Sequence, residues 1–307
     1  MLAAMVTSPS VLVLGGSGFV GSRVLALWRD DLDVVAPSHA ELDLLDHNAI
    51  TSYLRHSKAT VLLNLAAGAL VDAAEAERGD THGRVYSLNA ELPRVLAKLC
   101  AERGTRLVHV STDYVFDGAQ AERPYREEDL PNPLSWYAQT KRFGEDAILA
   151  SRAAACIARI EMPFTGHDHP RTDFARTCLR RFEAGTAIVG VIDQRITPVF
   201  LDDAVRALKL LVTSNFEGVI HVASTDWTTP FDYARAIAAR LGFDVDLVRK
   251  ETFERFAATR PATRPQHSWL DVSRFASLFG RDVLRPFEQE LESWVAQLTH
   301  VQTKAPA

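Results

Sequence analysis

The sequence predicts an α/β fold built on a doubly wound parallel sheet. Two observations carry that expectation. Short β-rich runs alternate with longer helical patterns through the first half of the chain, which implies parallel β-α-β units with helices on both faces. A glycine cluster, Gly15-Gly16-Ser17-Gly18-Phe19-Val20-Gly21, stands where the first strand should hand over to the first helix. Together they make the sheet Rossmann-type.

The elements follow in order. Residues 11–14 read as a buried strand and 19–28 as a helix. Strand 34–36 precedes helix 49–56. Strand 60–64 precedes 83–103, which is mostly helical. Strand 107–111 leads to helix 135–152, and 155–159 is a further strand. The second half is less regular. Helix 173–184 comes first, and 199–212 reads as a short strand running into a helix. Residues 218–222 form a strand. Helix 229–241 has Thr229 before Pro230 as its cap and first-turn pair. The two prolines of 259–268 mark an ordered loop, and 288–298 is a terminal amphipathic helix. The expected division is a dinucleotide-binding unit over 1–158 with about 199–222, a smaller C-terminal substrate-binding region over 159–198 and 223–298, and a flexible tail over 299–307. No linker rich in Gly or Ser separates the halves.

The chain has 307 residues, enough for one large domain or two interlocked ones. Its formal net charge of -5, with no long Lys/Arg run, argues against nucleic acid or an anionic membrane as partner. Cys100, Cys156 and Cys178 fit neither a disulfide framework nor a zinc site, so they read as reduced thiols of a cytoplasmic protein. Residues 1–10 lack the basic flank of a signal peptide. The apolar run 11–14 is too short to span a membrane.

The glycine loop carries G-x-x-G-x-x-G at 15, 18 and 21, and G-x-G-x-x-G at 16, 18 and 21. Glycines there allow a tight turn with positive φ and let backbone amides approach a pyrophosphate at the N-terminus of the next helix. The expected cofactor contacts from this loop are Gly15, Ser17, Gly18, Phe19, Val20 and Gly21. NAD binding would want an acid at the end of the second strand. The stretch Val34-Val35-Ala36-Pro37-Ser38-His39 has none, so NADP is expected, with Ser38 and His39 able to hydrogen-bond the 2′-phosphate and NAD as the alternative.

Ser111-Thr112-Asp113-Tyr114 closes a strand, and Tyr137 and Lys141 follow, with Tyr137 lying 25 residues after Thr112. Residues four apart share a helix face. An ammonium beside Tyr137 would lower a phenol pKa that is otherwise roughly 10. Thr112 ends a parallel strand, where such sheets place ligands. Its hydroxyl can hold a substrate oxygen while Tyr137 transfers a proton. Thr112, Tyr137 and Lys141 are therefore the expected catalytic set.

With these motifs in view, the chain resembles the extended short-chain dehydrogenases, and within them the dTDP-4-dehydrorhamnose reductase group. The resemblance rests on Leu42-Asp43-Leu44, Asn64-Leu65-Ala66-Ala67, the Asn89/Glu91/Pro93 segment, 111–118, 131–135 with Tyr137, and Arg264-Pro265 with Ser268 and Leu270-Asp271. It implies reduction of a nucleotide-linked 4-keto-6-deoxy sugar. It adds Asp43, Leu44, Ala66, Ala67 and Gly68 to the cofactor contacts. It also implies that Tyr137 and Lys141 contact the cofactor, Lys141 at the nicotinamide ribose. Asp113, Tyr114, Met162 and Arg264 become expected substrate contacts, Arg264 either on the diphosphate or in a surface salt bridge. The chain departs from the group at Gly68, at Gly-less 193–198, and in Arg159-Ile160-Glu161-Met162, where Met162 replaces a Trp and Glu161 is an unexpected acid. These departures lie on the sugar side.

Other residues read more plainly. Trp136 either lines the sugar pocket or packs in the core. Arg180, Arg181 and the run Glu127-Glu128-Asp129 read as solvated. His167 and His169 lack a third ligand, so no metal is expected. The expected partners are a nucleotide-sugar substrate and, as one option, a second copy of the chain in a homodimer. The competing functions are a non-catalytic NADP-binding regulatory subunit, similar to the β subunit of methionine adenosyltransferase, and another extended enzyme such as an epimerase. Dehydration is disfavoured because Tyr114 stands where dehydratases carry Glu.

Overall fold

The structure is a computed structural model, and it describes residues 9–302. Strands β1 (Ser10–Leu14), β2 (Asp33–Val35), β3 (Val61–Asn64), β4 (Arg106–Thr112), β5 (Ala155–Ile160), β6 (Ile188–Val191), β7 (Gly218–Val222) and β8 (Val248–Glu251) form two sheets. The larger runs β2-β1-β3-β4-β5-β7 and is parallel throughout. The smaller pairs β6 with β8, also in parallel. The helices are α1 (Phe19–Trp28), α2 (His47–His56), α3 (Val71–Ala74), α4 (Arg84–Tyr86), α5 (Leu92–Arg103), α6 (Trp136–Leu149), α7 (Phe174–Glu183), α8 (Leu201–Thr213), α9 (Pro230–Leu241), α10 (Phe253–Ala258), α11 (Ser273–Phe279) and α12 (Phe287–Gln302).

Strand alternation builds two cores from one sheet. Val11 and Val13 of β1 face a cluster that includes Val24 and Trp28 of α1 and Val205 and Leu208 of α8. Leu12 and Leu14 face the opposite cluster, with Ile50 and Leu54 of α2 and Leu92 and Leu96 of α5. Because both faces are covered, the central strands read as continuous apolar runs. A third core, around Phe164, Phe182, Tyr233, Ile237 and Trp294, belongs to the later part of the chain.

Side-chain caps set several helix starts. Asp46 accepts from Asn48 and Ala49 amides, and Ser135 from Ala138. Thr229 accepts from Asp232, with Pro230 in the first turn, as expected from the sequence. Four differences from expectation have physical causes. Residues 199–200 make no strand: Phe200 forms only an isolated bridge with Phe164, and α8 starts at Leu201. β6 and β8 were invisible because β8 reads Val-Arg-Lys-Glu, with no alternation of apolar residues. The helical stretch 83–103 is broken by a π-turn at Ser87–Glu91. α12 continues to Gln302, four residues into the expected tail, and 303–307 lie outside the described residues, as do 1–8.

Strand order fixes where a ligand can sit. The chain leaves β1 for β2 on one side, then returns for β3 on the other. The crevice beyond the C-terminal ends of β1 and β3 is thus the switch point of the sheet, where open α/β sheets bind ligands. Gly15 follows β1 there and Leu65 follows β3, while Thr112 closes β4 and Ile160 closes β5.

Candidate active site

The glycine turn is held by backbone, not by chance. Gly15 has φ +81°, and a Cβ there would lie 2.7 Å from the Ala66 amide nitrogen. A Cβ on Gly21 would lie 2.2 Å from the Gly15 carbonyl oxygen. Side chains at these two positions would collide with fixed backbone. Gly18 differs: its φ is -75°, so the positive φ expected of this loop falls on Gly15. Gly18 caps α1, whose first turn carries no acidic side chain. Free amides at a helix start, open to a cavity, suit a pyrophosphate. Gly15, Ser17, Gly18, Phe19, Val20 and Gly21 all line one cavity of about 230 Å³. Asp43, Leu44, Ala66 and Ala67 line it too. The residues present therefore fit a dinucleotide.

Two expected contacts lie elsewhere. Ser38 gives its amide and its hydroxyl to Glu41 Oε2, both at 2.8 Å, and is absent from the cavity wall. These bonds keep Glu41 below the usual carboxylate range. An acid does therefore stand just past β2, which the sequence reading passed over, but it is engaged with Ser38. His39 lines the cavity instead. Gly68 is also outside the wall: Asn89 of the π-turn grips its amide at 2.8 Å and its carbonyl at 3.2 Å.

A second cavity of about 220 Å³ adjoins the first, sharing Val20, Leu65, Ala67, Ala69 and Arg171 as common wall. Thr112, Asp113, Tyr114, Tyr137, Lys141 and Met162 line it. Met162 is the one non-glycine residue with positive φ among those described, at +38°, which turns the chain sharply after β5. Arg264 is not in the wall. It pairs with Asp72 through two hydrogen bonds of 2.8 and 2.9 Å. Trp136 is core, packed with Ala74 and Val85 and against Tyr86.

The polar groups of this cavity are linked. Thr112 Oγ1 donates to Asp113 Oδ1 at 2.9 Å and accepts the Tyr114 amide at 3.3 Å. Tyr137 begins α6 within reach of the Thr112 hydroxyl. Burial raises its phenol above the ordinary value, while the Thr112 hydrogen bond opposes the shift. The lowering by Lys141 expected from the sequence is not what the geometry produces. Lys141 Nζ is turned to the Val110 carbonyl at 2.7 Å and to His109 Nε2 at 3.3 Å. Burial lowers Lys141 to about 8. His109 is kept neutral by burial and by Lys141, and its other ring nitrogen meets Asn64 Nδ2 at 3.0 Å.

Reading by motif missed Arg84 and Arg171. Arg84 lines the first cavity and Arg171 both. Arg171 sits in the loop between β5 and α7, its guanidinium 5.9 Å from the Phe19 ring centroid. His169 of the same loop packs edge-on against Phe19 at 5.4 Å. No motif spacing marks this loop.

Comparison with known proteins agrees with this geometry. The family described as the RmlD substrate binding domain matches residues 9–300. The chain is 33% identical to the dTDP-4-dehydrorhamnose reductase of Mycolicibacterium smegmatis, over 98% of this chain and 89% of that one. It is 34% identical to the Mycobacterium tuberculosis enzyme of the same name, over 94% and 93%. A solved dTDP-4-dehydrorhamnose reductase from Clostridium acetobutylicum superposes with a TM-score of 0.85 at 28% identity, covering 94% of this chain and 99% of that one. The Bacillus anthracis structure, a complex with NADP, has a TM-score of 0.85 at 25% identity, with the same coverage. Among the described residues no helix is long and apolar enough to cross a membrane.

Proposed function

Because the chain belongs to the RmlD substrate binding domain family, we propose that it reduces the 4-keto group of a nucleotide-linked 6-deoxy sugar, with NADPH as hydride donor and NADH as the alternative. The dTDP-linked sugar in the names of its relatives is the substrate class this reading takes. One observation carries it: Thr112, Tyr137 and Lys141 share a cavity that opens onto the glycine-loop cavity through a common wall.

A nicotinamide dinucleotide in the first cavity supplies the hydride. The chain's own groups do the rest. Thr112 holds the keto oxygen by its hydroxyl. Tyr137 passes its phenolic proton to that oxygen as the alcohol forms. Lys141, charged below about pH 8 and held by the Val110 carbonyl beside the same cavity, would hold the ribose of the cofactor. Solvent then restores the proton. Tyr114 and Met162 wall the sugar side, and Asp113 stands behind Thr112. His39 lines the cavity and Ser38 does not, so His39 is the residue this reading places beside the 2′-phosphate of NADPH.

The test is NADPH oxidation with dTDP-linked 4-keto-6-deoxy sugars. Turnover with at least one is expected. Tight NADPH binding with no oxidation by any of them would overturn the reading in favour of a cofactor-binding regulatory subunit.

A further inference from the structure

Thr112 has one hydroxyl hydrogen and two claims on it. A hydroxyl donates once and accepts twice. Thr112 Oγ1 already accepts the Tyr114 amide, and its hydrogen is committed to Asp113 Oδ1. While Asp113 is ionised, that hydrogen cannot also hold a substrate oxygen.

Asp113 is not alone. It is 3% exposed, and its Oδ2 has no hydrogen-bond partner. Behind it lies Glu161, fully buried at the end of β5. Glu161 Oε1 accepts from the Ser268 hydroxyl at 2.8 Å, and Oε2 from the Thr197 hydroxyl. Thr197 Oγ1 is itself fixed by the Leu270 amide at 3.0 Å. Ser268 lies between the two carboxyls and acts on both. The other titratable groups around them are Tyr114, Tyr137 and Arg264, with Arg171 and Lys141 on the far side of Tyr137. Arg264 is already matched by Asp72. Among the described residues no cation forms an ion pair with either carboxyl. Two carboxyls buried this close disfavour ionisation of both.

On this basis, and resting on the reductase reading above, we infer that Glu161 is a positioning residue that keeps one proton on the Asp113–Glu161 pair, so that Asp113 donates to Thr112 Oγ1 and releases the Thr112 hydroxyl to hold the substrate's keto oxygen. No proton leaves the pair in the reaction; only the direction of one hydrogen bond reverses. Burial raises both carboxyls, and the mutual repulsion of the pair adds to the rise in Glu161.

Two measurements on the full chain test this. The first is infrared spectroscopy of the NADPH-bound protein near neutral pH, with no sugar present. The protonated carboxyl C=O band is read as a difference between chains: it should weaken in Glu161→Gln and in Asp113→Asn, above a constant contribution from buried Glu290, whose carboxyl is also raised. The second is the pH profile of kcat/KM. Glu161→Gln keeps the shape but removes the charge, so Asp113 ionises more readily. The alkaline limb should move down by about one pH unit, a ~10-fold loss on that limb, with NADPH affinity unchanged. In Asp113→Asn the amide always donates, so this limb should vanish whatever the plateau height. A carboxyl band unchanged in both Asp113→Asn and Glu161→Gln, or an unmoved limb in Glu161→Gln, overturns the inference. The band difference needs no turnover. A protein that shows it yet reduces no keto sugar fails the reductase reading alone, and normal turnover without it fails the pair alone.

Discussion

Arg264 holds Asp72 through two parallel hydrogen bonds and so staples helix α3 to the loop 259–268. Asp72 also takes the Ala262 amide at 3.2 Å. Of the two roles the sequence left open for this guanidinium, the ion pair is the one it forms, next to Tyr114. A two-pronged charged pair of this kind stabilises more than a single surface contact. A double-mutant cycle of Arg264→Met and Asp72→Asn in urea unfolding should give a coupling of about 1 kcal/mol. Additive effects would show that the pair is incidental.

The glycine loop separates into two kinds of position. Gly18→Val should weaken NADPH binding by more than about 10-fold, because Gly18 lines the cavity at the helix start, and should lower the melting temperature only modestly, because its φ is ordinary and its Cβ would lie 3.2 Å from the Gly15 carbonyl oxygen, against 2.2 Å at Gly21. Gly21→Val should lower both, since its Cβ meets the Gly15 carbonyl. Calorimetric titration beside thermal unfolding of each variant checks the contrast. Equal effects on both properties at both sites would contradict it.

Arg171 borders both cavities, so it is expected to steady anionic groups in each. Arg171→Met should raise the Kd for NADPH and the KM for the sugar nucleotide, by roughly 5–20-fold if one charge-assisted contact is lost. The folded structure should not suffer, because Arg171 is exposed and its guanidinium lies 5.9 Å over the Phe19 ring, outside the core. A variant with native Kd and KM would remove Arg171 from the site.

Glu161 also makes a stability prediction. Burial holds its folded pKa above its ordinary value of 4.5. Stability from this group is complete below that value and is lost as pH rises through the raised one. Glu161→Gln should therefore gain in melting temperature relative to the native chain as pH goes from about 5 to about 8. A difference that stays flat across that range would mean Glu161 titrates normally.

The sheet and its cofactor side were legible because backbone sterics leave a mark in residue type. Gly15 and Gly21 are forced by contacts that no Cβ can survive, and the runs 11–14 and 60–64 are apolar because both sheet faces are covered. The Tyr137/Lys141 spacing survives translation into structure because a helix fixes it. The unread features depend on contacts across long separations. Arg264 finds Asp72, Ser38 turns to Glu41 rather than the cavity, and Asn89 draws Gly68 away from it. Arg171 lies in a loop with no periodicity. Glu161 drew notice only as an oddity, because its partners Thr197 and Ser268 come from distant loops.

The account turns on Tyr137 as the proton donor. Tyr137→Phe removes one hydroxyl from a helix otherwise held by the Ser135 cap, so fold and NADPH affinity should persist. Single-turnover hydride transfer from NADPH to a competent dTDP-linked keto sugar is the measurement. The rate should fall by about 10²–10⁴, which is roughly 3–5 kcal/mol of barrier, with the cofactor Kd unchanged. A Tyr137→Phe rate close to the native one would assign the proton to another group and contradict the account.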